Sequence, residues 1–120
     1  NYFGLHPLGN FLSDWNMILL RYCDGGSFTG DTQILYEGTT LQFRGHRIVT
    51  SFIKVLRDQL HANDSTDMII SGLSAGGLSA MMHVDRFKDA FPNTFVVGMP
   101  DSGFFLPYDS SSCEYPYQTS

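Results

Sequence analysis

Apolar residues recur along this chain with two different periods. Ile48, Val49, Phe52, Ile53, Leu56 and Leu60 repeat at three- and four-residue spacing, which predicts an amphipathic helix over about residues 45–61. Its polar positions include Arg47, Lys54, Arg57 and Asp58, charges that read as a solvated face. A second helix is predicted over about residues 75–91, with Ala80, Val84, Phe87 and Phe91 on one side and Pro92-Asn93 as its stop. Residues 17–22, 67–71 and 94–99 are short apolar runs of the length of buried strands. The resulting order β-α-β-α-β, with helices long enough to cross over, predicts an α/β fold with a parallel sheet in a single domain.

Between these elements lie stretches of loop composition. Residues 1–16 show no sustained period, and residues 23–40 hold Gly25, Gly26, Gly30 and Gly38 among hydroxyl and acidic side chains. Residues 109–120 carry no assignable pattern. In parallel sheets ligands bind beyond the carboxyl ends of the strands. The segments 23–31, Ser74 and 101–105 all fall at such ends, and they are the candidate site.

Composition narrows the classes. The chain has 120 residues, 42% hydrophobic and 16% charged, enough apolar content for a packed core and too little charge for a disordered chain. The net charge of -5 and the lack of a basic stripe argue against nucleic acid as a partner. No apolar run is long enough to span a bilayer. The start at Asn1, without Met, suggests a removed signal or an internal piece of a longer chain. Cys23 and Cys113 lack zinc-site spacing; a bridge between them would add roughly 4–5 kcal/mol, and bridges to other chain segments are equally open. Asn63-Asp64-Ser65 is a glycosylation sequon in a predicted turn, which fits secretion.

Candidate chemistry centres on Ser71-Gly72-Leu73-Ser74-Ala75-Gly76-Gly77, where an apolar run gives way to a helical period. In a chain with 12 glycines the G-x-S-x-G pattern alone is a weak signal. Its position between strand and helix makes it a predicted nucleophile elbow, with Ser74 as nucleophile and the Ala75 amide as an oxyanion donor at the helix N-terminus. Gly72 and Gly76 are expected to be glycines because β-carbons beside the serine would collide with strand or helix. A base is harder to find among His6, His46, His61 and His83. Only His83 follows Ser74, and nine residues along the helix it cannot fold back to the hydroxyl. Asp101 could be a triad acid, a carboxylate shaping the floor of the site through backbone hydrogen bonds, or a turn cap. Phe104 and Phe105 could be core or acyl-pocket residues.

Five blocks in order carry a resemblance: Arg21-Tyr22-Cys23-Asp24-Gly25-Gly26-Ser27-Phe28-Thr29-Gly30-Asp31, Phe43-Arg44-Gly45, the Ser71–Gly77 stretch, Asp85-Arg86-Phe87 and Asp101-Ser102-Gly103-Phe104-Phe105. Together they resemble the pectin acetylesterase and Notum family of serine carboxylesterases, and the first two look more like its plant-type pectin acetylesterases. The resemblance implies a partial α/β-hydrolase fold and hydrolysis of O-acyl esters with no metal or organic cofactor. It matches Ser74 to the nucleophile, Ala75 to the oxyanion donor and Phe105 to an acyl-pocket position. Gly72, Gly76, Gly77 and Asp101 then support the site, and Asp101 is not the triad acid. That acid and the histidine are expected beyond Ser120, and a glycine- and tryptophan-containing oxyanion loop before Asn1, so the chain looks like the central third of an enzyme.

The expected function is removal of O-acetyl groups from pectin or a related polysaccharide by a secreted or cell-wall protein, monomeric at full length. A Notum-like esterase acting on a fatty-acylated protein is the alternative within the family. A non-catalytic carbohydrate-binding protein of the same fold is the alternative from another class, with Tyr22, Asp24, Phe28 and Asp31 as candidate sugar contacts. Missing one sheet strand between its first and second, the isolated chain is expected to be marginal and to expose strand edges.

Overall fold

A computed structural model describes residue 12 and residues 14–105. Residues 1–11, 13 and 106–120, with His6, Cys113 and the unassigned C-terminal stretch, lie outside the described residues. Among the described residues the elements in order are β1 (Thr32–Tyr36), β2 (Thr39–Phe43), α1 (Gly45–Asp58), β3 (Asp67–Leu73), α2 (Ala75–Ala90) and β4 (Phe95–Asp101), with a 3-10 turn at Ala62–Asp64. It is a mixed α/β arrangement containing a parallel sheet.

α1 forms where the 3.6-residue apolar period runs and ends earlier than that period does. Gln59 and Leu60 both donate their amides to the Val55 carbonyl, and His61 then takes a left-handed φ of 53° that turns the chain away. Leu60, the last apolar residue of the period, is left exposed.

β3 and β4 pair in parallel, from Asp67 opposite Phe95 to Leu73 opposite Asp101, with α2 as the crossover between them. Alternation puts Met68, Ile70 and Val96 on one face, where they pack against a cluster of Phe28, Val49, Leu56, Phe87 and Phe91. Gly98 lies on the same face, and a β-carbon there would meet Val84 of α2 at 3.4 Å. The Phe52 and Phe87 rings join α1 to α2 edge to face, with centroids 6.4 Å apart. Phe95, Val97, Met99 and Leu73 alternate onto the opposite face and are exposed.

Two segments differ from the sequence expectation. Residues 17–22 form no strand: Met17, Ile18, Leu19 and Tyr22 are exposed and no described strand pairs with them. An apolar run becomes a strand only when an open edge accepts its backbone, and here a groove separates it from β3. Residues 32–43, expected as loop as far as Thr40, form the antiparallel hairpin β1-β2. Its two-residue turn, Glu37-Gly38, has φ of 48° and 78°, the paired positive values that match the twist of adjoining strands. Every residue of β1 is exposed, so the hairpin lacks the buried alternation by which strands are read.

Candidate active site

β3 ends at Leu73 and α2 starts at Ala75, leaving Ser74 alone to turn the chain. It does so at φ 54°, ψ -115°, outside the conformations ordinary residues favour, a strain of about 1–3 kcal/mol. Two main-chain hydrogen bonds hold it. The Ser74 amide donates to the Asp101 carbonyl at 2.9 Å, and the Ser74 carbonyl accepts from the Leu78 amide at 3.0 Å. The Ser74 side chain is exposed and does not cap the helix. It opens onto the groove between residues 14–22 and β3, which Ala75, Gly76, Gly72 and Tyr22 also line. The unpaired first-turn amides of α2, Ala75 among them, carry the positive end of the helix dipole.

The glycines divide differently from the expectation. A β-carbon on Gly72 would run into the backbone of Gly76, so the strand end and the first helical turn touch main chain to main chain. Gly76 itself faces open space, with nothing within 4 Å of an added β-carbon. The second crowded position is Gly77, where a β-carbon would lie 2.6 Å from the Asp101 carbonyl oxygen and 2.8 Å from the Gly103 α-carbon. Gly103, which the sequence reading did not single out, is packed just as closely against Gly77. Its signal was present in the sequence as a glycine ending the Asp-Ser-Gly turn after a strand adjacent to the serine motif.

Asp101 touches Ser74 through its carbonyl and not its carboxylate. The carboxylate accepts a hydrogen bond from the Ser102 hydroxyl at 3.0 Å and is exposed. Phe104 and Phe105 are exposed and do not line the groove.

The segment 23–31 follows no strand, contrary to expectation. Ser27 and Phe28 take left-handed φ values of 53° and 57°, and the loop folds over the start of α1. A β-carbon on Gly45, the first residue of α1, would collide with the Asp24 carboxylate and the Phe28 backbone. Asp24 is buried with no hydrogen-bond partner for either carboxylate oxygen. Phe28 is core. Neither is accessible to a sugar. Asp31 is bound by Arg44 at 3.0 Å and Arg47 at 2.7 Å, and the Arg44 hydrogen bond, with Arg47 beside it, holds its carboxyl below the usual carboxylate range. Of the candidate sugar contacts, Tyr22 is exposed and lines the groove, but its hydroxyl accepts a hydrogen bond from the Ser27 amide at 2.9 Å and its ring leans on Phe28 with centroids 5.1 Å apart.

His83 anchors that loop. It is buried, its Nε2 lies 2.8 Å from the Phe28 carbonyl, and its Nδ1 lies 3.2 Å from an Arg86 guanidinium nitrogen. A carbonyl only accepts and a guanidinium only donates, so Nε2 carries the proton and the ring is neutral. Burial pushes its pKa down, with smaller contributions from Arg86 and His46 in the same direction and the Phe28 hydrogen bond opposing them. Arg86 continues to the Thr50 hydroxyl at 2.6 Å, tying α2 to α1. With both ring nitrogens engaged, His83 is a structural residue. His46 and His61 are exposed. Among the described residues no group of three or more His, Cys, Asp and Glu could hold a metal ion.

This arrangement presents the Ser74 hydroxyl, beside the first-turn amides of α2, to a shared groove. The pectinacetylesterase family model matches residues 10–120. The chain belongs to the pectinacetylesterase family. It is 42% identical over 94 residues to pectin acetylesterase 11 of Arabidopsis thaliana, covering 78% of this chain and 24% of that protein. It is 39% identical over 95 residues to pectin acetylesterase 5 of the same plant, covering 78% and 22%. Against the palmitoleoyl-protein carboxylesterase NOTUM of Schmidtea mediterranea identity is 27% over 113 residues, covering 88% and 21%. No solved structure matches the chain significantly. The matched stretch of the chain spans about a quarter of the length of these curated relatives.

Proposed function

We propose that this pectinacetylesterase-family chain carries the nucleophile elbow of a secreted serine carboxylesterase that removes O-acetyl groups from pectin or a related polysaccharide. The observation that carries the reading is Ser74: a strained, exposed serine between a parallel strand and a helix N-terminus, pinned on both sides by main-chain hydrogen bonds. In this reading the Ser74 Oγ attacks the ester carbonyl carbon while a base takes its proton. The charge arriving on the carbonyl oxygen is held by the Ala75 amide, worth several kcal/mol when a donor is preorganised. Collapse expels the sugar alkoxide, which takes up the proton, and water then cleaves the acyl-enzyme. Gly72 and Gly77 let the strand and helix close up around the serine, and the Asp101 carbonyl fixes its amide. Phe105 is assigned to the acyl pocket by family correspondence. The base and its acid are assigned to chain beyond these 120 residues.

The acetyl-ester reading is favoured over a long-acyl one by the higher identity to the pectin acetylesterases than to NOTUM, 42% against 27%. Full-length protein should hydrolyse p-nitrophenyl acetate and lose nearly all turnover on Ser74→Ala, while an unchanged rate refutes the assignment. A rate optimum with long-chain esters would transfer the reading to a NOTUM-like activity. Absence of fluorophosphonate labelling at Ser74 would identify a non-catalytic carbohydrate-binding protein instead.

A further inference from the structure

The sequon Asn63-Asp64-Ser65 occupies a part of the surface that the esterase reading does not use. Asn63 is exposed on the 3-10 turn Ala62–Asp64, between α1 and β3. His61, Ala62, Asp64 and Ser65 all line the groove that runs past Ser74, and Asn63 is the one residue of this turn that does not. Its side chain is therefore on the outer side. The turn also holds together without it. The Asp64 amide donates to the His61 carbonyl and the Ser65 amide to the Ala62 carbonyl, each at 3.1 Å, and the Thr94 hydroxyl donates to the Ser65 carbonyl at 2.9 Å. A substituent on the Asn63 amide breaks none of these bonds.

We propose that Asn63 is an N-glycosylation site. The step forms a bond from the Asn63 side-chain nitrogen to the anomeric carbon of an oligosaccharide carried on a lipid diphosphate. The bond from that carbon to the diphosphate oxygen breaks, the diphosphate leaves with the electron pair, and the amide gives up one proton. The middle residue, Asp64, is not proline, so the acceptor pattern is intact. The turn precedes the first residue of β3 and Ser74 follows the last, so seven strand residues separate them, about 20 Å or more at ~3.3 Å per residue. A glycan there leaves the groove mouth at Ser74 open. It also stands near exposed Phe95, whose amide bonds to the Thr66 carbonyl, and gives that apolar corner a hydrated cover. A glycosylated corner faces solvent, so the remainder of the full-length protein packs against other surfaces of this chain.

The proposal rests on the secretory part of the proposed function, and the test separates the two. Full-length protein is expressed in eukaryotic cells behind a heterologous signal peptide, so that entry to the secretory pathway does not depend on its own leader. The peptide containing Asn63 should carry N-acetylglucosamine, should convert to aspartate at position 63 on enzymatic glycan release, and should lose the modification in Asn63→Gln and in Ser65→Ala. Ser65→Thr should retain it. Asn63→Gln should leave p-nitrophenyl acetate turnover within twofold of wild type. Secreted, folded protein with an unmodified Asn63 overturns the proposal while leaving the esterase reading intact, and a tenfold loss of activity in Asn63→Gln overturns the placement of the glycan away from the site.

Discussion

At the scale of single residues, the contact between Gly77 and Gly103 makes a sharp distinction among neighbouring glycines. Gly77→Ala inserts a β-carbon against two main-chain segments that cannot rotate away, so in full-length protein it should cost about 1–3 kcal/mol in a denaturant titration and lower esterase activity with it. Gly76→Ala should be nearly neutral in the same titration, because its β-carbon enters open space. Motif reading had assigned the crowding to the two glycines of G-x-S-x-G; only Gly72 is crowded in that way, because which glycine backs onto the β4 turn depends on tertiary contact. His83 gives a second residue-scale outcome. Its folded-state pKa lies below the 6.5 of a free imidazole, so the unfolded chain binds a proton that the folded chain refuses. Stability from this group is complete above pH 6.5 and is lost as pH falls below that value toward the depressed folded pKa. His83→Gln should flatten that part of the stability-versus-pH curve while lowering stability at neutral pH.

Elements were legible where a period was tied to burial. The helical spacing of Val49, Phe52 and Leu56, and of Ala80, Phe87 and Phe91, reports the side that meets the core, and α1 and α2 lie where those periods run. The hairpin was not legible because its strands bury neither face, although Thr-Gln-Ile-Leu-Tyr and Thr-Thr-Leu-Gln-Phe around a two-residue turn ending in Gly38 were a local signal for it. Glu37 carries a left-handed φ that costs an ordinary side chain roughly 1–2 kcal/mol, much of which asparagine avoids. Glu37→Asn should therefore slow amide exchange across β1 and β2, with no change in exchange at β3 and β4. The run at residues 17–22 failed as a strand for the opposite reason: its composition suits a sheet, but its pairing depends on backbone that the described residues do not supply.

At the scale of the whole molecule, the described residues leave a two-stranded parallel sheet with one bare apolar face and a groove along its β3 edge. The 120-residue chain on its own should bind a hydrophobic dye, melt without a cooperative transition and show no amide protection at residues 17–22. A sharp melt with protection there would contradict this account, and in full-length protein the same amides should become protected. The candidate site divides along the same line: the turn that strains Ser74 is complete in this chain, whereas the base that would activate it is not among its described histidines.

The hydrogen bond from the Ser74 amide to the Asp101 carbonyl, together with the Gly77–Gly103 contact, sets a limit on loop engineering. Any graft intended to reshape the surface beyond β4 must keep Asp101 through Gly103 as a fixed splice and begin its variation at Phe104. Libraries that randomise the splice itself would spend most of their members on chains in which the Ser74 turn no longer closes.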